Sequence, residues 1–406
     1  MKIAVIGCGA AGGTAAQFAR KADRKAEIVL YDGEGYGQYS KCALPYVVEG
    51  MEWQRIIEFS PEWFRKQKID YRNERVENVD LEARVIEDNE EDYDSIIIAT
   101  GAVPYTPFKA EGVHFLRTID DALSIRNSAK KAKNALIIGA GLIGMELAEA
   151  LIHMKLDVEI LEYMPSILPA MLDEDVADYI KKRIGVDVKT SCRVEKVENG
   201  IVTADEEYRA DMVVVATGNK PVVINEGKRL KVDKFCRVEG MEDIYAAGDC
   251  TSLTDFFDRD MQVGLGSIAA RQGRVAGTNA AGGEDEVIPP LFAKTTKLFG
   301  VEIASVGLLE REIDGLSAKY MGRSLPHYME GEEILIKIVA DGDGIVKGCQ
   351  AVGEGAAKII ERVSLAIYNE MNVRELARME NAYAPLVAPT FDAVEIACGM
   401  IERKLK

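Results

Sequence analysis

Two copies of one glycine pattern restrict the folds open to this chain more than any other feature. Residues 2–12, KIAVIGCGAAG, form a short apolar run that ends in a G-x-G-x-x-G spacing and continues into a helix-compatible segment. The same order returns at residues 134–146, NALIIGAGLIGME. Glycines at these spacings let a backbone approach a pyrophosphate at a helix N-terminus, where amide groups lack partners. The repetition therefore predicts two nucleotide-binding units of the Rossmann type, each built on a parallel sheet.

A carboxylate follows the second predicted strand of each unit. Asp32 comes after the apolar segment 27–31, and Glu162 comes after the apolar segment 158–161. An acid in this position accepts the hydroxyls of an adenosine ribose. The carboxylate of Glu162 would repel a ribose phosphate, and no arginine occurs among the next residues, YMPSILPAM. We therefore expect NADH at the second unit, with NADPH as the alternative.

The residues expected to hold the two nucleotides lie in these loops, in the segment 38–50, in later turns and in a helix-like segment that begins at Val263. The turns are the ATG triplets 99–101 and 216–218 and the segment 244–250, IYAAGDC, in which Asp249 could cap a helix or hold a ribityl hydroxyl. The candidates in the glycine loops and at the two acids are Gly7, Gly9, Ala10, Ala11, Gly12, Asp32, Gly139, Gly141, Ile143, Gly144 and Glu162. The other candidates are Ser40, Lys41, Thr100, Gly101, Gly218, Gly248, Asp249, Gly266 and Ala269.

Charge and composition argue against several classes of partner. The formal net charge of −17 disfavours nucleic acid, because binding phosphates along a duplex needs a basic face. The seven cysteines are scattered without the paired spacings of a zinc site, so we expect no metal and a reducing compartment. No apolar run is long enough to span a bilayer and no signal peptide precedes the first strand, which predicts a cytoplasmic protein without a membrane partner.

The segment 38–50, QYSKCALPYVVEG, contains the candidate for redox chemistry. A single cysteine is usually a small buried hydrophobe, and Cys42 could be one. However, polar Ser40 and Lys41 precede it and Pro45 stiffens the chain that follows. The charge of Lys41, or a nearby helix N-terminus, would favour the thiolate, which is the form that attacks a disulfide.

Together these motifs resemble the single-cysteine branch of the flavin-dependent pyridine nucleotide–disulfide oxidoreductases, most closely coenzyme A disulfide reductases and NADH oxidases. The resemblance covers essentially the whole chain, and the order of the motifs makes it specific. The motifs are GCGAAG at 7–12, CALPY at 42–46, ATG at 99–101, GAGLIGME at 139–146, AAGDC at 246–250, RQGRVAG at 271–277 and YAP at 383–385.

The resemblance implies an α/β fold of the glutathione-reductase type with three domains. A discontinuous FAD domain would comprise residues 1–110 and 230–288, an NADH domain residues 111–229, and a C-terminal α+β dimerisation domain residues 289–406. It also implies that Cys42 lies against the flavin, that Glu146 lies near the nicotinamide and flavin, and that Tyr383 reaches the partner subunit's site in a homodimer.

Departures from the family pattern narrow the expected chemistry. Dithiol members carry a second cysteine where this chain has Val47, which excludes an internal disulfide. Relatives that reduce oxygen or peroxide carry a histidine in the first glycine loop, where this chain has Ala10 and Ala11. Gln38 and Val387 replace a serine and an aromatic residue of the expected thiol-substrate site, so the resemblance implies disulfide chemistry more directly than it implies coenzyme A as the substrate.

The predicted activity is reduction of coenzyme A disulfide, or of a similar small disulfide or persulfide, by NADH through FAD and Cys42. Tyr383 could supply the proton of the leaving thiol, or could be a packed aromatic residue of an interface. An NADH oxidase that reduces oxygen is one alternative function. A flavin electron-transfer reductase for a small redox protein, which needs no cysteine, is another.

Overall fold

A computed structural model describes residues 1–86, 90–222, 224 and 229–405, and the chain forms two compact units. Unit 1 contains residues 1–105, 115–127 and 218–290, and unit 2 contains residues 106–114, 128–217 and 291–406. Unit 2 thus includes both the second glycine pattern and the C-terminal region. The division into three domains remains a prediction, and its ranges 111–229 and 289–406 include positions outside the described residues.

A helix begins in each of the two glycine loops, as the sequence predicts. The helices are α1 (Ala10–Ala22), α2 (Leu44–Glu49), α3 (Pro61–Lys66), α4 (Ile119–Ala129), α5 (Leu142–His153), α6 (Glu174–Lys181), α7 (Gly266–Ala280), α8 (Ala356–Tyr368), α9 (Val373–Leu376) and α10 (Ala393–Glu402). In the part of the chain that the structure describes, none of them combines the length and the apolar character needed to cross a membrane.

Unit 1 is organised around a five-stranded parallel sheet. Its strands, in spatial order, are Ile244–Ala246, Ser95–Ile98, Lys2–Ile6, Glu27–Tyr31 and Asp70–Arg72. The central strands are apolar runs buried on both faces, as a covered parallel sheet requires. Smaller sheets join Gln38–Tyr39 with Ile57–Phe59, Val79–Asp80 with Val85–Ile86 and Glu91–Asp92, Ala102–Pro104 with Asn219–Pro221, and Leu230–Lys231 with Thr251–Thr254 and Asp260–Gln262.

Helices α1 and α7 cross so closely in unit 1 that their backbones touch. A Cβ atom added to Gly273 would overlap the carbonyl oxygen of Ala11, and one added to Gly277 would overlap that of Ala15. The four-residue spacing is the same on both helices, so one face of α7 lies directly on one face of α1. Because the obstructing atoms belong to the backbone, no side-chain rotation can make room.

Unit 2 combines a parallel and an antiparallel sheet. The parallel sheet has the order Asp187–Lys189, Asp157–Leu161, Asn134–Ile138 and Met212–Val215. The antiparallel sheet has the order Lys294–Leu298, Val301–Gly307, Val346–Val352, Glu333–Ala340 and Leu316–Arg323, and α8 and α10 pack on it. A four-stranded sheet is formed by Lys109–Ala110, Lys196–Glu198, Ile201–Thr203 and Glu207–Arg209. The predicted α/β fold, with two Rossmann-like sheets and a C-terminal α+β region, is confirmed.

The crossing of α1 and α7 predicts an unusual response to alanine. In an open helix, replacing glycine by alanine stabilises by about 1 kcal/mol. We expect Gly277→Ala to reverse that sign and to destabilise unit 1 by about 1–3 kcal/mol, because the two backbones must separate. The midpoint of urea unfolding measures the change.

Gly399→Ala is the matched control. Gly399 lies inside α10, where an added Cβ atom would make only an ordinary contact with Ala377 at 4.0 Å. This variant should be neutral or stabilising. Equal midpoints for the two variants would contradict the account of the helix crossing.

Candidate functional site

The first glycine loop joins the strand Lys2–Ile6 to α1. Two of its glycines are required for packing, and the remaining one leaves the backbone uncovered. Gly7 has φ +103°, and a Cβ atom on it would overlap the carbonyl oxygen of Ala99. A Cβ atom on Gly12 would overlap the carbonyl oxygen of Gly7. On Gly9 the same atom would meet nothing within 4 Å. Packing therefore requires the first and third glycines, whereas the second leaves bare backbone at the N-terminus of α1.

The second glycine loop repeats this arrangement in unit 2. Gly139 has φ +109°, and a Cβ atom added to it would lie 2.5 Å from the carbonyl oxygen of Ala216. A Cβ atom added to Gly144 would overlap the carbonyl oxygen of Gly139. A Cβ atom on Gly141 would meet nothing within 4 Å. The N-cap residues of α1 and α5 are glycines, so no N-cap side chain accepts a hydrogen bond from the first amides of either helix. Both loops fit a dinucleotide pyrophosphate.

The two acids are buried and bind the main chain close to their loops. Asp32 accepts hydrogen bonds from the amides of Glu34 and Gly37, at 3.0 and 2.9 Å. Glu162 accepts one from the amide of Ala140, within the second glycine loop, at 2.6 Å. Both carboxylates thus lie where the sequence predicted them. Each carboxylate oxygen has more than one acceptor site, so a ribose hydroxyl can also be bound.

The other candidates of unit 1 surround the first glycine loop and α7. Ala10 begins α1, and a Cβ atom on Gly248 would contact Ala11 at 3.0 Å. Thr100 donates to the carbonyl of Val222 at 2.7 Å, and Gly101 and Gly218 have positive φ. Gly266 and Ala269 lie in the first turn of α7. In unit 2, Ile143 is exposed on the first turn of α5.

Asp249 forms an ion pair that the sequence did not reveal. The guanidinium of Arg117 donates to Asp249 at 2.8 Å and to the carbonyl of Ala102 at 2.9 Å. Both charged side chains are less than one-fifth exposed. Arg117 lies 132 residues from Asp249, and no local pattern links them. Arg117 therefore orients the carboxylate of Asp249, a candidate residue for the flavin site.

Cys42 lies in a short 3-10 turn, Lys41–Ala43, just before α2. Its side chain is exposed, and its sulfur lies 3.9 Å from the position of a Cβ atom on Gly266, the first residue of α7. Cys42 therefore lies beside the N-terminus of a 15-residue helix, which stabilises negative charge. The expected helix N-terminus is present near the thiol.

The other six cysteines are buried. They are Cys8, Cys192, Cys236, Cys250, Cys349 and Cys398. Burial is the first cause that raises the pKa of each of these thiols, to about 12 for Cys398, so that they stay protonated. Of the seven cysteines, all within the described residues, only Cys42 is exposed to solvent.

The neighbours of Cys42 differ from expectation in one respect. The ammonium of Lys41 pairs with Glu34 at 2.6 Å, so its charge is already neutralised by a carboxylate. Burial lowers the pKa of Lys41, and Glu34 opposes that shift. Gln38, expected at the substrate site, is buried and accepts a hydrogen bond from Gln17 of α1 at 3.1 Å. It packs on α1 because Gly13 leaves space there.

Two tyrosines meet in the C-terminal region of unit 2. The hydroxyls of Tyr328 and Tyr383 lie 2.8 Å apart, and the side chains are 57% and 48% exposed. Both line a cavity of about 590 Å³, together with His327 and Arg323. The hydrogen bond with Tyr383 is the first cause that raises the pKa of Tyr328. The family resemblance places His327 and Tyr328 near the expected thiol-substrate site, with a surface loop as the alternative, but it did not predict the contact of Tyr328 with Tyr383, which is 55 residues away.

Glu146 lies in α5, two residues beyond the second glycine loop. Its carboxylate accepts a hydrogen bond from the hydroxyl of Thr296 at 2.7 Å. Burial raises the pKa of Glu146, and the bond from Thr296 opposes this rise. The carboxyl group is therefore shielded from water and oriented by Thr296, and its place beside a nicotinamide stays a prediction.

Comparisons with known proteins agree with this geometry. The family model described as pyridine nucleotide-disulphide oxidoreductase matches residues 1–273, and the dimerisation domain of the same family matches residues 293–394. An NADH oxidase of Methanocaldococcus jannaschii is 34% identical over 100% of this chain and 99% of its own length. A coenzyme A disulfide reductase of Staphylococcus aureus is 26% identical over 95% of this chain and 96% of its own length.

A solved structure shows the same similarity. The NAD-dependent persulfide reductase from A. fulgidus has a TM-score of 0.92 and 32% sequence identity, and the match covers 100% of this chain and 83% of that one. The two glycine loops, each followed by an acid and built on a parallel sheet, suit the binding of FAD and NAD(P)H, which the family uses. The chain therefore belongs to the pyridine nucleotide–disulphide oxidoreductase family and is an NAD(P)H-dependent flavin oxidoreductase.

Proposed function

We propose that this protein reduces coenzyme A disulfide, or a similar small disulfide or persulfide, with Cys42 as its single redox thiol. The observation that carries the proposal is the distribution of the cysteines: Cys42 is exposed beside a helix N-terminus, and the six others are buried. The names of two relatives, a coenzyme A disulfide reductase and a persulfide reductase, support the substrate class.

The two nucleotides are assigned to different parts of the chain. Unit 1 would hold FAD at Gly7, Gly9, Asp32 and Asp249, and the parallel sheet of unit 2 would hold NADH at Gly141 and Glu162. When bound, FAD accepts the hydride of NADH and passes an electron pair to a disulfide. The contribution of the chain is to bind and orient both nucleotides and to present one thiol.

The reaction balances with one cysteine. The thiolate of Cys42 attacks a sulfur of the substrate disulfide, which forms a mixed disulfide and releases one thiol. The electron pair derived from NADH then breaks the mixed disulfide, which restores the Cys42 thiolate and releases the second thiol. In sum, NADH, one proton and one disulfide give NAD⁺ and two thiols.

The hydroxyls of Tyr383 and Tyr328 are the proposed proton donors for the leaving thiol. They share a hydrogen bond, so that one can donate while the other orients it. The dimerisation-domain match supports a homodimer, in which we expect Tyr383 to serve the partner's site. The cavity beside the pair offers space for part of a thiol substrate.

Reduction of oxygen is the second candidate function. The name of the relative in M. jannaschii, NADH oxidase, favours it. Against it, the first glycine loop carries Ala10 and Ala11 in place of a proton-donating histidine. An oxidase consumes oxygen in proportion to NADH when no disulfide is present, whereas a disulfide reductase requires the disulfide.

Replacing Cys42 tests the redox role directly. In Cys42→Ser we expect NADH-dependent reduction of coenzyme A disulfide to fall by at least a hundredfold, because serine forms no mixed disulfide. Reduction of an artificial dye by NADH should remain within about twofold of the wild-type rate, since it needs only the nucleotides. A decrease of less than tenfold in disulfide reduction would refute the redox role of Cys42.

Removing the tyrosine hydroxyls tests proton transfer. The double variant Tyr328→Phe and Tyr383→Phe should lower kcat for disulfide reduction by about 100-fold, within the usual range for loss of a general acid. The reference is Tyr105→Phe, which removes the hydroxyl of another exposed tyrosine and should leave kcat unchanged. Steady-state rates at saturating NADH provide the measurement, and an unchanged kcat in the double variant would assign these tyrosines to packing.

The charge of Glu162 should set the preference for NADH. Glu162→Gln keeps an oxygen acceptor but removes the negative charge that would repel a ribose phosphate. We expect the ratio of kcat/KM for NADPH to that for NADH to rise about tenfold, which corresponds to about 1.4 kcal/mol. Glu174→Gln makes the same charge change at an exposed position of α6 and should leave the ratio unaltered. A constant ratio in both variants would show that Glu162 does not determine the preference.

A further inference from the structure

The loop 163–173, which follows Glu162, is attached to the second glycine loop. The amide of Met164 donates to the Glu162 carboxylate at 2.7 Å, and the amide of Leu168 donates to the carbonyl of Ala140 at 2.9 Å. Leu168 is fully buried and has φ +49°, a left-handed conformation that costs energy for a leucine. Such a conformation persists only where the surrounding structure holds it in place.

Side chains of the C-terminal region hold the other end of this loop. Lys294 donates to the carbonyl of Ala170 at 2.6 Å. Arg311 donates to the carbonyl of Leu172 at 3.0 Å and also to that of Pro169. Both side chains belong to the region that matches the dimerisation domain, whereas the loop belongs to the nucleotide-binding part of unit 2. Three carbonyl groups of the segment 169–172 are thus bound by two side chains of the C-terminal region.

Asp173, the last residue of the loop, is held in the same way. Its amide donates to the side-chain oxygen of Gln350 at 2.8 Å, and the amide group of Gln350 donates back to its carboxylate. Lys337 also pairs with this carboxylate at 3.1 Å. Asp173 is the N-cap residue of α6, yet its carboxylate does not cap that helix. An aspartate in this position normally binds the first helical amides, so the contacts with the C-terminal region take precedence.

Lys337 makes this attachment strong. Its side chain is 3% exposed, and its ammonium also pairs with Asp175 at 2.8 Å and Glu310 at 2.6 Å. Burial lowers the pKa of Lys337, but the hydrogen bonds that its ammonium donates to the carboxylates outweigh this effect, and the net shift of the pKa is upward. A buried charge that is fully paired in this way is costly to disturb. We call the four side chains Lys294, Arg311, Lys337 and Gln350 the C-terminal clasp.

We propose that the C-terminal clasp positions the pyridine nucleotide site, because it fixes loop 163–173 and, through Leu168 and Ala140, the second glycine loop. The inference rests on the proposed binding of NADH at that loop. It assigns to the antiparallel sheet a part in nucleotide affinity, in addition to the contacts between subunits expected of a dimerisation domain. The clasp residues are positioning residues, since none of them is expected to touch the nucleotide.

Arg311→Met is the variant that tests the clasp. It removes the donors to two loop carbonyls from a side chain that is only half-buried, so the fold should tolerate it. Lys319→Met is the matched control, because Lys319 pairs with Asp175 in α6 and, within the described residues, donates no hydrogen bond to a carbonyl of the loop. Each variant removes one positive charge. Lys294→Met, which frees the carbonyl of Ala170, provides a second test of the same loop.

The measurement uses the flavin-loaded enzyme and tetrahydro-NAD, a form of the nucleotide that cannot donate a hydride. We expect its Kd to rise about tenfold in Arg311→Met and severalfold in Lys294→Met, and to stay within twofold in Lys319→Met. KM for NADH should rise in parallel while kcat and KM for the disulfide stay constant. Amide hydrogen exchange should accelerate in residues 139–142 and 163–173 of Arg311→Met.

Two results would overturn the proposal. One is an unchanged Kd in both Arg311→Met and Lys294→Met, which would make the clasp a purely structural attachment. The other is an equal loss of affinity in Lys319→Met, which would indicate a general effect of charge. Failure of the wild-type protein to bind tetrahydro-NAD would refute the proposed nucleotide site itself and is therefore distinguishable from failure of the clasp.

Discussion

The close approach of backbone to backbone at glycine is the constraint on which this structure depends. In each glycine loop the first and third glycines are used to bring strand, helix and a following ATG turn into contact. Those contacts fix the N-terminus of the helix, and the second glycine then leaves its amides uncovered. In unit 1 the same principle extends to α7, whose Gly273 and Gly277 lie on the backbone of α1. A site for a phosphate-rich cofactor can therefore form in a protein whose net charge is −17.

The crossing of α1 and α7 also fixes the surroundings of Cys42, the proposed redox thiol. Because α7 is held against α1, its N-terminus has a fixed place in unit 1, and Cys42 lies beside it. The other cysteines are buried away from water, and burial raises the pKa of their thiols. In the proposed reaction, Cys42 would thus be distinguished from the other six cysteines by its exposure and by the adjacent N-terminus of α7. The charge of Lys41 contributes less than expected, since Glu34 neutralises it.

The features that the sequence predicted are those encoded locally. Apolar strands, glycine spacings and terminal acids lie within about 30 residues of each other, and they predicted both parallel sheets and the place of Glu162. The contacts Arg117–Asp249 and Tyr328–Tyr383, and those of the C-terminal clasp with loop 163–173, could not be predicted in this way, because the two sides of each contact are 55 to 177 residues apart. Gln38 shows a further limit: its polar side chain suggested a substrate contact, but a glycine on α1 gives it a buried place.

The claim that Cys42 exchanges electrons with a small disulfide is tested most directly by anaerobic titration with NADH, combined with mass analysis of the Cys42 peptide. After incubation with coenzyme A disulfide and removal of the excess, the account predicts a coenzyme A adduct on Cys42. It also predicts uptake of two NADH per subunit, one for FAD and one for the mixed disulfide, with release of one coenzyme A. Uptake of a single NADH with an unmodified Cys42 peptide would contradict the account.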